Sequence, residues 1–507
     1  MKFRSHLFPF HSHCTTSTGT RMTQLSISQR QIGSRSAASL ALLALVTACA
    51  TNPATGKREL SLVSQGQEIA MGQEGAKAAA AQMGIYPDSA IQRYVSSLGL
   101  TIAKHSERPD LPWSYTVVDD PAVNAFALPG GPVFVSRGIL THMNSEAELV
   151  SVLGHETGHV TARHSVSQIS KQQIFQIGLI GAMVLRPELQ QFGQVASAGL
   201  GVLFLKFSRD DETQADELGF KYMTAGGYQP SEMAEMFRTL QRLSGPEGSR
   251  STPEWQSTHP DPGNRVQKTS QRIASAGRSF AGAKVERDAF LRRIDGMIFG
   301  EDPRQGYFQQ TSFIHPTLKF RFDFPTGWRT QNSAEQVVGQ SAQGDAQIAL
   351  STAGNSPPQQ ALSAFLQQQG IKAGATSTSP INGNAAAVGQ FIAQNQDGTT
   401  LAGYVAFIQQ DGLTYQLVCI TTTANIQKYD TIFRNTIGSF QRLTDARLLS
   451  VKPQHVRIVK LPGAMTLTQF NQKYPSVIPL TQLQLINGMD ATTSIPAGTL
   501  VKRVVAE

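Results

Sequence analysis

The sequence predicts a multidomain protein. A mainly α domain with a small β-sheet is expected over 61–300, an α+β domain over 307–445, and a small βααβ module over 452–505. Three observations carry that division. Apolar residues recur at helical spacing up to about Gly300, they alternate in strand fashion from Tyr307 onward, and the polar stretch "GEDPRQG" lies between. The length of 507 residues is enough for roughly three domains.

Residues 1–49 hold Lys2, Arg4, Arg21, Arg30 and Arg35 and no acid, followed by an apolar run from about Leu40 to Val46 and then small residues. This reads as a secretory signal peptide whose apolar core is too short to span a bilayer. Val46-Thr47-Ala48-Cys49 resembles the bacterial lipobox. Cys49 is therefore expected to be lipidated and to anchor the chain on the periplasmic face of a membrane. Ala50 after it favours the outer membrane, and Met22 is an alternative start. Without those five leader charges the net charge of +8 falls to +3, which gives no reason to expect nucleic acid as a partner. Of the cysteines, Cys14 and Cys49 belong to the leader and Cys419 sits in the apolar "YQLVCITT". Cys419 is expected to be buried, and neither an intrachain disulfide nor a cysteine zinc site is expected.

Residues 50–60 read as a polar tether. "QGQEIAMGQEGAKAAAAQMG" predicts a helix ended by Gly84, and "AIQRYVSSLGLTIAKHS" a second. "WSYTVVDD" and "GGPVFVSRG" predict short strands around the turn "PAVNAFALPGG". "HPTLKFRFDFPTGW", "DAQIALSTA", "AAAVGQFIAQ", "LAGYVAFIQQ" and "LTYQLVCITTT" predict strands of the α+β domain, with helices at "PQQALSAFLQQQ" and "YDTIFRNTIGSF". The apolar stretch 174–207 is interrupted by Arg186-Pro187-Glu188. Each part is too short to span about 30 Å of hydrocarbon, so a helical pair over the site is expected.

The chemistry is concentrated in "LVSVLGHETGHVTARHS", 149–165. Ser145-Glu146-Ala147-Glu148 is a capping-box pattern, so a helix starts there. On it His155 and His159 are i and i+4, and two imidazoles one turn apart can take adjacent corners of a tetrahedral zinc site. Glu156 then flanks the metal, where it can take a proton from water. The alternative is a solvated helix face, but Leu149, Val152 and Leu153 argue for burial, and buried histidines without partners are costly. Gly158 costs a helix roughly 1 kcal/mol, which close backbone packing would explain. Downstream, "FSRDDETQADELGFKY" places Glu212 and Asp216 at i and i+4. Glu212 would complete a His-His-Glu set, and Asp216 would accept the far N–H of a ligating histidine. A charged surface helix is the competing reading.

"HETGH" followed by "SRDDETQADELG" resembles the zinc metallopeptidase family of the CAAX prenyl-protein endoproteases, HtpX and BepA. "NPATGKRELSLVS", "NAFALPGGPVFVSRGIL" and "STHPDPGNRV" match it as well, over about Asn52 to Arg272. The resemblance implies a zincin-like (gluzincin) fold and one Zn²⁺ per chain held by His155, His159 and Glu212. It implies Glu156 as general base, and poorly assembled envelope proteins as substrates. For His259 three roles are open: a donor to the oxyanion, a fourth zinc ligand that holds the enzyme off, or a loop histidine fixing a turn. Arg265 is expected to be structural, and His164 to be a partner of the helix C-terminal dipole. "GGPVFVSRG" is expected as an edge strand that pairs with substrate, with Gly130 and Gly131 allowing backbone approach and Pro132 interrupting the pairing.

The α+β domain resembles PsbP-like domains, with a binding or spacer role. "MTLTQFNQKYP", "LINGM" and "IPAGTLV" resemble a LysM module, which implies a peptidoglycan partner through 452–505. The expected function is a zinc metalloendopeptidase of the bacterial cell envelope acting on unfolded or misassembled envelope proteins. The rival is a chaperone or scaffold with a latent, histidine-capped zinc site near peptidoglycan. A third reading, cleavage of cell-wall peptides, rests on the LysM-like tail.

Overall fold

Ser64 opens the first helix of the peptidase-like part, α1 (Gln65–Met83), with a reciprocal cap: its hydroxyl accepts the Gln67 N–H while the Gln67 side chain accepts the Ser64 N–H. Gly84, at φ 72°, ends it where the sequence predicts. The computed structural model describes residues 49–172, 206–244, 259, 262–394 and 399–507. The leader, nearly all of the stretch 174–207, and most of "STHPDPG" lie outside them. Among the described residues no helix is long and apolar enough to cross a membrane.

Helix α2 (Ser89–Ala103) follows, capped by Asp88. Strands β1 (Ser114–Val118), β2 (Ala125–Ala127) and β3 (Pro132–Ser136) then form one small sheet in the order β1-β3-β2. Here the structure corrects two expectations. "GGPVFVSRG" was expected at an edge, but β3 is the central strand, parallel to β1 and antiparallel to β2, and all five of its residues are buried. The cause is that "AFA" folds as a third strand rather than a turn, and the unbroken apolar run of β3 suits a strand covered on both faces. Gly130 and Gly131 instead pack closely on the protein's own backbone, at Ile69 and Pro112. A Cβ on Gly130, whose φ is 78°, would lie 2.6 Å from Ile69 Cα, so this glycine lets the loop close against α1.

Helices α3 (Arg137–His142), α4 (Glu146–Thr161), α5 (Arg209–Ala225), α6 (Ser231–Ser244), α7 (Pro262–Ser275) and α8 (Arg287–Ile294) complete this part. Ile91, Val95, Leu149, Leu153, Tyr222, Met236, Phe290 and Leu291 belong to its main apolar core, and Ala79, Val118, Leu128 and Phe134 form a smaller cluster.

The α+β expectation for the next part matches the elements observed. A seven-stranded antiparallel sheet runs in the order Arg329–Asn332, Gln336–Gln340, Ala346–Thr352, Leu413–Thr422, Thr400–Gln410, Ala385–Gln394, Ile371–Ser377. Helices Pro358–Leu366 and Ile426–Gly438 cover it, and Cys419 is buried and unpaired. Its core is aromatic, with Phe313, Phe320, Phe322, Phe324, Tyr415, Phe433 and Phe440 in one cluster.

In the last part Gln454–Lys460 pairs antiparallel with Leu500–Ala506, and helices Leu467–Lys473 and Leu480–Asn487 lie between them in sequence. This tail packs on the peptidase-like part. Gln454 and His455 pair with Phe299 and Ile298, and the fully buried Lys502 donates to Thr141 O (3.1 Å) and Met143 O (2.7 Å) at the end of α3. Burial lowers the Lys502 pKa and raises that of Glu148 in the first turn of α4, while the attraction between the two opposes both shifts.

Candidate metal centre

Helix α4 is buried along its whole length from Ala147 to Thr161. Ser145 caps it by accepting the Glu148 N–H at 3.1 Å. Glu148 does not close the expected capping box; its carboxylate reaches one residue further back, to the Asn144 N–H at 2.7 Å. α4 crosses α5 closely because glycines meet at the contact. A Cβ on Gly158 would lie 3.0 Å from Ala215 O, and one on Gly219 2.9 Å from His155 N. That close approach sets Glu212 and Asp216 of α5 against His155 and His159 of α4.

His155, His159, Glu212 and His259 come together, with one potential ligand atom from each lying within 4.8 Å of all the others. All four are buried. His155 Nδ1 is 2.9 Å from Asp216 Oδ1, which places the ring proton there and turns Nε2 toward the cluster. His159 Nε2 lies 3.0 Å from His155 Nε2 and 3.4 Å from Glu212 Oε1. His259 Nδ1 is 2.8 Å from Glu212 Oε1 and 3.3 Å from His155 Nε2. Arg265 pairs with both acids of α5: Nε reaches Asp216 Oδ2 at 2.8 Å, Nη2 reaches Asp216 Oδ1 at 2.5 Å, and Nη1 lies 3.1 Å from Glu212 Oε2. It therefore acts on the carboxylates, as a structural reading of Arg265 anticipates.

The electrostatics follow from burial and this pairing. Burial raises the Glu212 carboxyl, but His259 and Arg265 outweigh it and hold the group well below the usual range. Asp216 is held down in the same way by Arg265 and His155. Burial and then Arg265 lower His155 to about 3, against the Asp216 hydrogen bond. Glu156 is different. Burial pushes it up to about 7, and among the described residues neither carboxylate oxygen has a hydrogen-bond partner. His259 Nε2, 3.6 Å from Glu156 Oε1, is too far for one.

The donor set fits a divalent metal of borderline softness: imidazoles and one carboxylate, dry and convergent. His155 Nε2, with its ring proton on Nδ1, and His159 Nε2 converge to 3.0 Å, where one cation could be bound by both.

His164 was expected as a cationic partner of the helix dipole. Burial lowers it to about 4, so it is neutral near pH 7, and its ring turns inward: Nδ1 is 2.9 Å from His159 Nδ1 and Nε2 is 2.9 Å from Gln214 Oε1. Phe207 stacks on His159 with ring centroids 4.1 Å apart. No spacing in the sequence announces these contacts, because the chain leaves helical geometry between His159 and His164.

A His-Glu-x-x-His helix crossed by a helix carrying Glu-x-x-x-Asp is the arrangement that the sequence resemblance to a metallopeptidase family implies. Residues 89–273 match Peptidase family M48. It is similar to the β-barrel assembly-enhancing protease of Escherichia coli (strain K12), 28% identical over 224 residues that cover 43% of this chain and 46% of that protein. It is also similar to the mitochondrial metalloendopeptidase OMA1 of Schizosaccharomyces pombe, 34% identical over 184 residues, 36% of this chain and 53% of the relative. The chain thus spans about half the length of the curated relatives it matches. Among solved structures, cyanobacterial PsbP from Synechocystis sp. PCC 6803 aligns over 26% of this chain and 91% of its own, at 11% identity and a TM-score of 0.23.

Proposed function

We propose that the protein is a zinc-dependent endopeptidase of the bacterial cell envelope, acting on unfolded or misassembled proteins. The observation that carries the reading is the convergence of His155, His159 and Glu212 beside a buried Glu156 that has no hydrogen-bond partner among the described residues. Those three residues would hold the ion. When bound, zinc supplies Lewis acidity toward a peptide carbonyl and the attacking water. Glu156 takes the proton from that water and passes it to the leaving amine. Asp216 keeps the His155 proton on Nδ1, so that Nε2 presents its lone pair to the cluster. Strand β2, an edge of its sheet, offers backbone groups to an extended substrate. Such recognition makes little demand on side chains and suits substrates that share only the property of being unfolded. Lipid attachment at Cys49 would place the activity at the membrane surface, and the tail 452–505 would hold it near peptidoglycan.

A second reading is favoured by the position of His259, whose ring lies inside the ligand cluster. As a fourth ligand it would keep the site closed until substrate displaces it, and the resting protein would act as a latent scaffold.

The test uses residues 50–507, which form one compact unit. Casein cleavage and zinc content are measured for wild type, Glu156→Gln and His259→Ala. Cleavage by wild type that Glu156→Gln abolishes, with zinc retained, supports the peptidase. Cleavage by His259→Ala alone supports the latent form. A wild type that binds no zinc overturns both.

A further inference from the structure

The two histidines of α4 are supported in unlike ways. His155 donates Nδ1–H to Asp216, an anion paired with Arg265. Among the described residues His159 faces no carboxylate at its Nδ1; the nitrogen 2.9 Å away belongs to His164. His164 Nε2 is in turn 2.9 Å from the amide oxygen of Gln214. That oxygen can only accept, so His164 carries its proton on Nε2. Its Nδ1 is then a lone pair facing His159 Nδ1, which must supply the proton between them. His159 is left with its own lone pair on Nε2, the nitrogen that points into the cluster.

The backbone is built for this contact. In a continuing helix His164 would lie on a different face from His159. The chain instead turns at Arg163, whose φ of 60° is left-handed and unfavourable for a residue with a side chain. Arg163 is held in that turn by its Nε to Glu68 Oε2 at 3.0 Å and its Nη2 to Val63 O at 2.8 Å. Glu68 is fully buried and also pairs with Arg108, which binds Val160 O near the end of α4. Gln214 lies on α5 between Glu212 and Asp216. The helix that brings the third ligand therefore also fixes the orientation of the second.

We propose that His164 is the positioning residue of the metal ligand His159: anchored by Gln214 and by the left-handed turn at Arg163, it accepts the His159 Nδ1 proton and so presents Nε2 to the metal. This rests on the zinc site proposed above. The arrangement is a neutral counterpart of the Asp216–His155 pair and acts without adding a third carboxylate to the site.

The experiment compares full-length wild type with His164→Phe, His164→Asn and Gln214→Leu. Zinc transfer to a chelating dye is read, together with thermal unfolding of the metal-free proteins. Phe keeps the ring but has no acceptor, whereas Asn keeps an oxygen near the place of Nδ1. His164→Phe is expected to weaken zinc retention about 10–100-fold. His164→Asn restores most of that loss, and Gln214→Leu, which leaves His164 in place with its tautomer unfixed, weakens retention to a lesser degree. The metal-free unfolding midpoints stay together, which a merely structural role for His164 would not allow. Zinc held by His164→Phe as tightly as by wild type overturns the inference, as does an Asn variant no better than Phe. If His164→Phe does not fold, Gln214→Leu decides: unchanged zinc retention there overturns the inference. A wild type that takes up no zinc fails earlier and brings down the zinc reading itself.

Discussion

The peptidase-like part and the α+β part bury different things. Around α4 and α5 the interior holds His155, Glu156, His159, Glu212, Asp216 and Arg265, each at most 4% exposed. Inside the α+β part the corresponding volume is filled by phenylalanines and tyrosines, and its ion pairs, such as Asp411 with Arg442 and Asp345 with Lys428, stay near the surface. Buried charge is unfavourable unless paired, and replacing such a network with apolar groups commonly leaves stability unchanged or raised. The first interior thus holds a paired charge network at some expense of stability, and the second is packed with apolar groups.

That contrast can be broken most sharply at Glu156. Glu156→Gln should lower casein turnover about 10²–10⁴-fold with zinc content unchanged, read by initial rates and metal analysis. Next comes the charge network. Arg265→Leu strands Asp216 and Glu212 without their cation and should cost the metal-free protein about 3–5 kcal/mol in urea unfolding. A comparable loss in the other interior needs a cavity: Phe320→Ala, in the aromatic cluster, should cost about 3–5 kcal/mol with zinc retention untouched.

A smaller effect is tied to pH. Burial lowers His142 to about 4, and its Nδ1 lies 2.8 Å from Gly138 O. The unfolded chain takes up a proton near pH 6.5 and the folded one does not until about pH 4, so this stability is complete above 6.5 and lost as pH falls toward 4. Within that window His142 contributes a slope of about 1.4 kcal/mol per pH unit. His142→Asn should flatten the acid limb of the stability curve by that amount. The smallest effect belongs to the surface. Asp411→Asn removes a pair whose side chains are both about half exposed, at a left-handed position that Asn also tolerates, and should leave the unfolding midpoint unchanged.

The sequence carries the line of chemistry well and the fold around it less evenly. His155, His159, Glu212 and Asp216 are legible because helix periodicity converts spacing into a shared face. Gly158 is legible as a packing residue because a helix-breaking choice requires a cause. The central position of β3 is not, because it depends on whether "AFA" pairs or turns, a choice made by the neighbouring strand. His164 escapes for a related reason: its contact with His159 passes through one left-handed residue, and Arg163 carries no sign that it will adopt that conformation. Its stabilising partner Glu68 lies on α1, far away in sequence, amid alanines that suggest an ordinary surface helix.

Lys502 gives the molecule an order of assembly. It reaches carbonyls 361 positions earlier, at Thr141, just before the helix that carries the histidines. Until that last strand docks, the carbonyls of Thr141 and Met143 lack their ammonium donor and Glu148 lacks its cation. Closing so long a loop is slow. The final form of the peptidase-like part therefore depends on the tail 452–505 being docked, so these two parts complete each other's interior rather than standing as independent beads on a string.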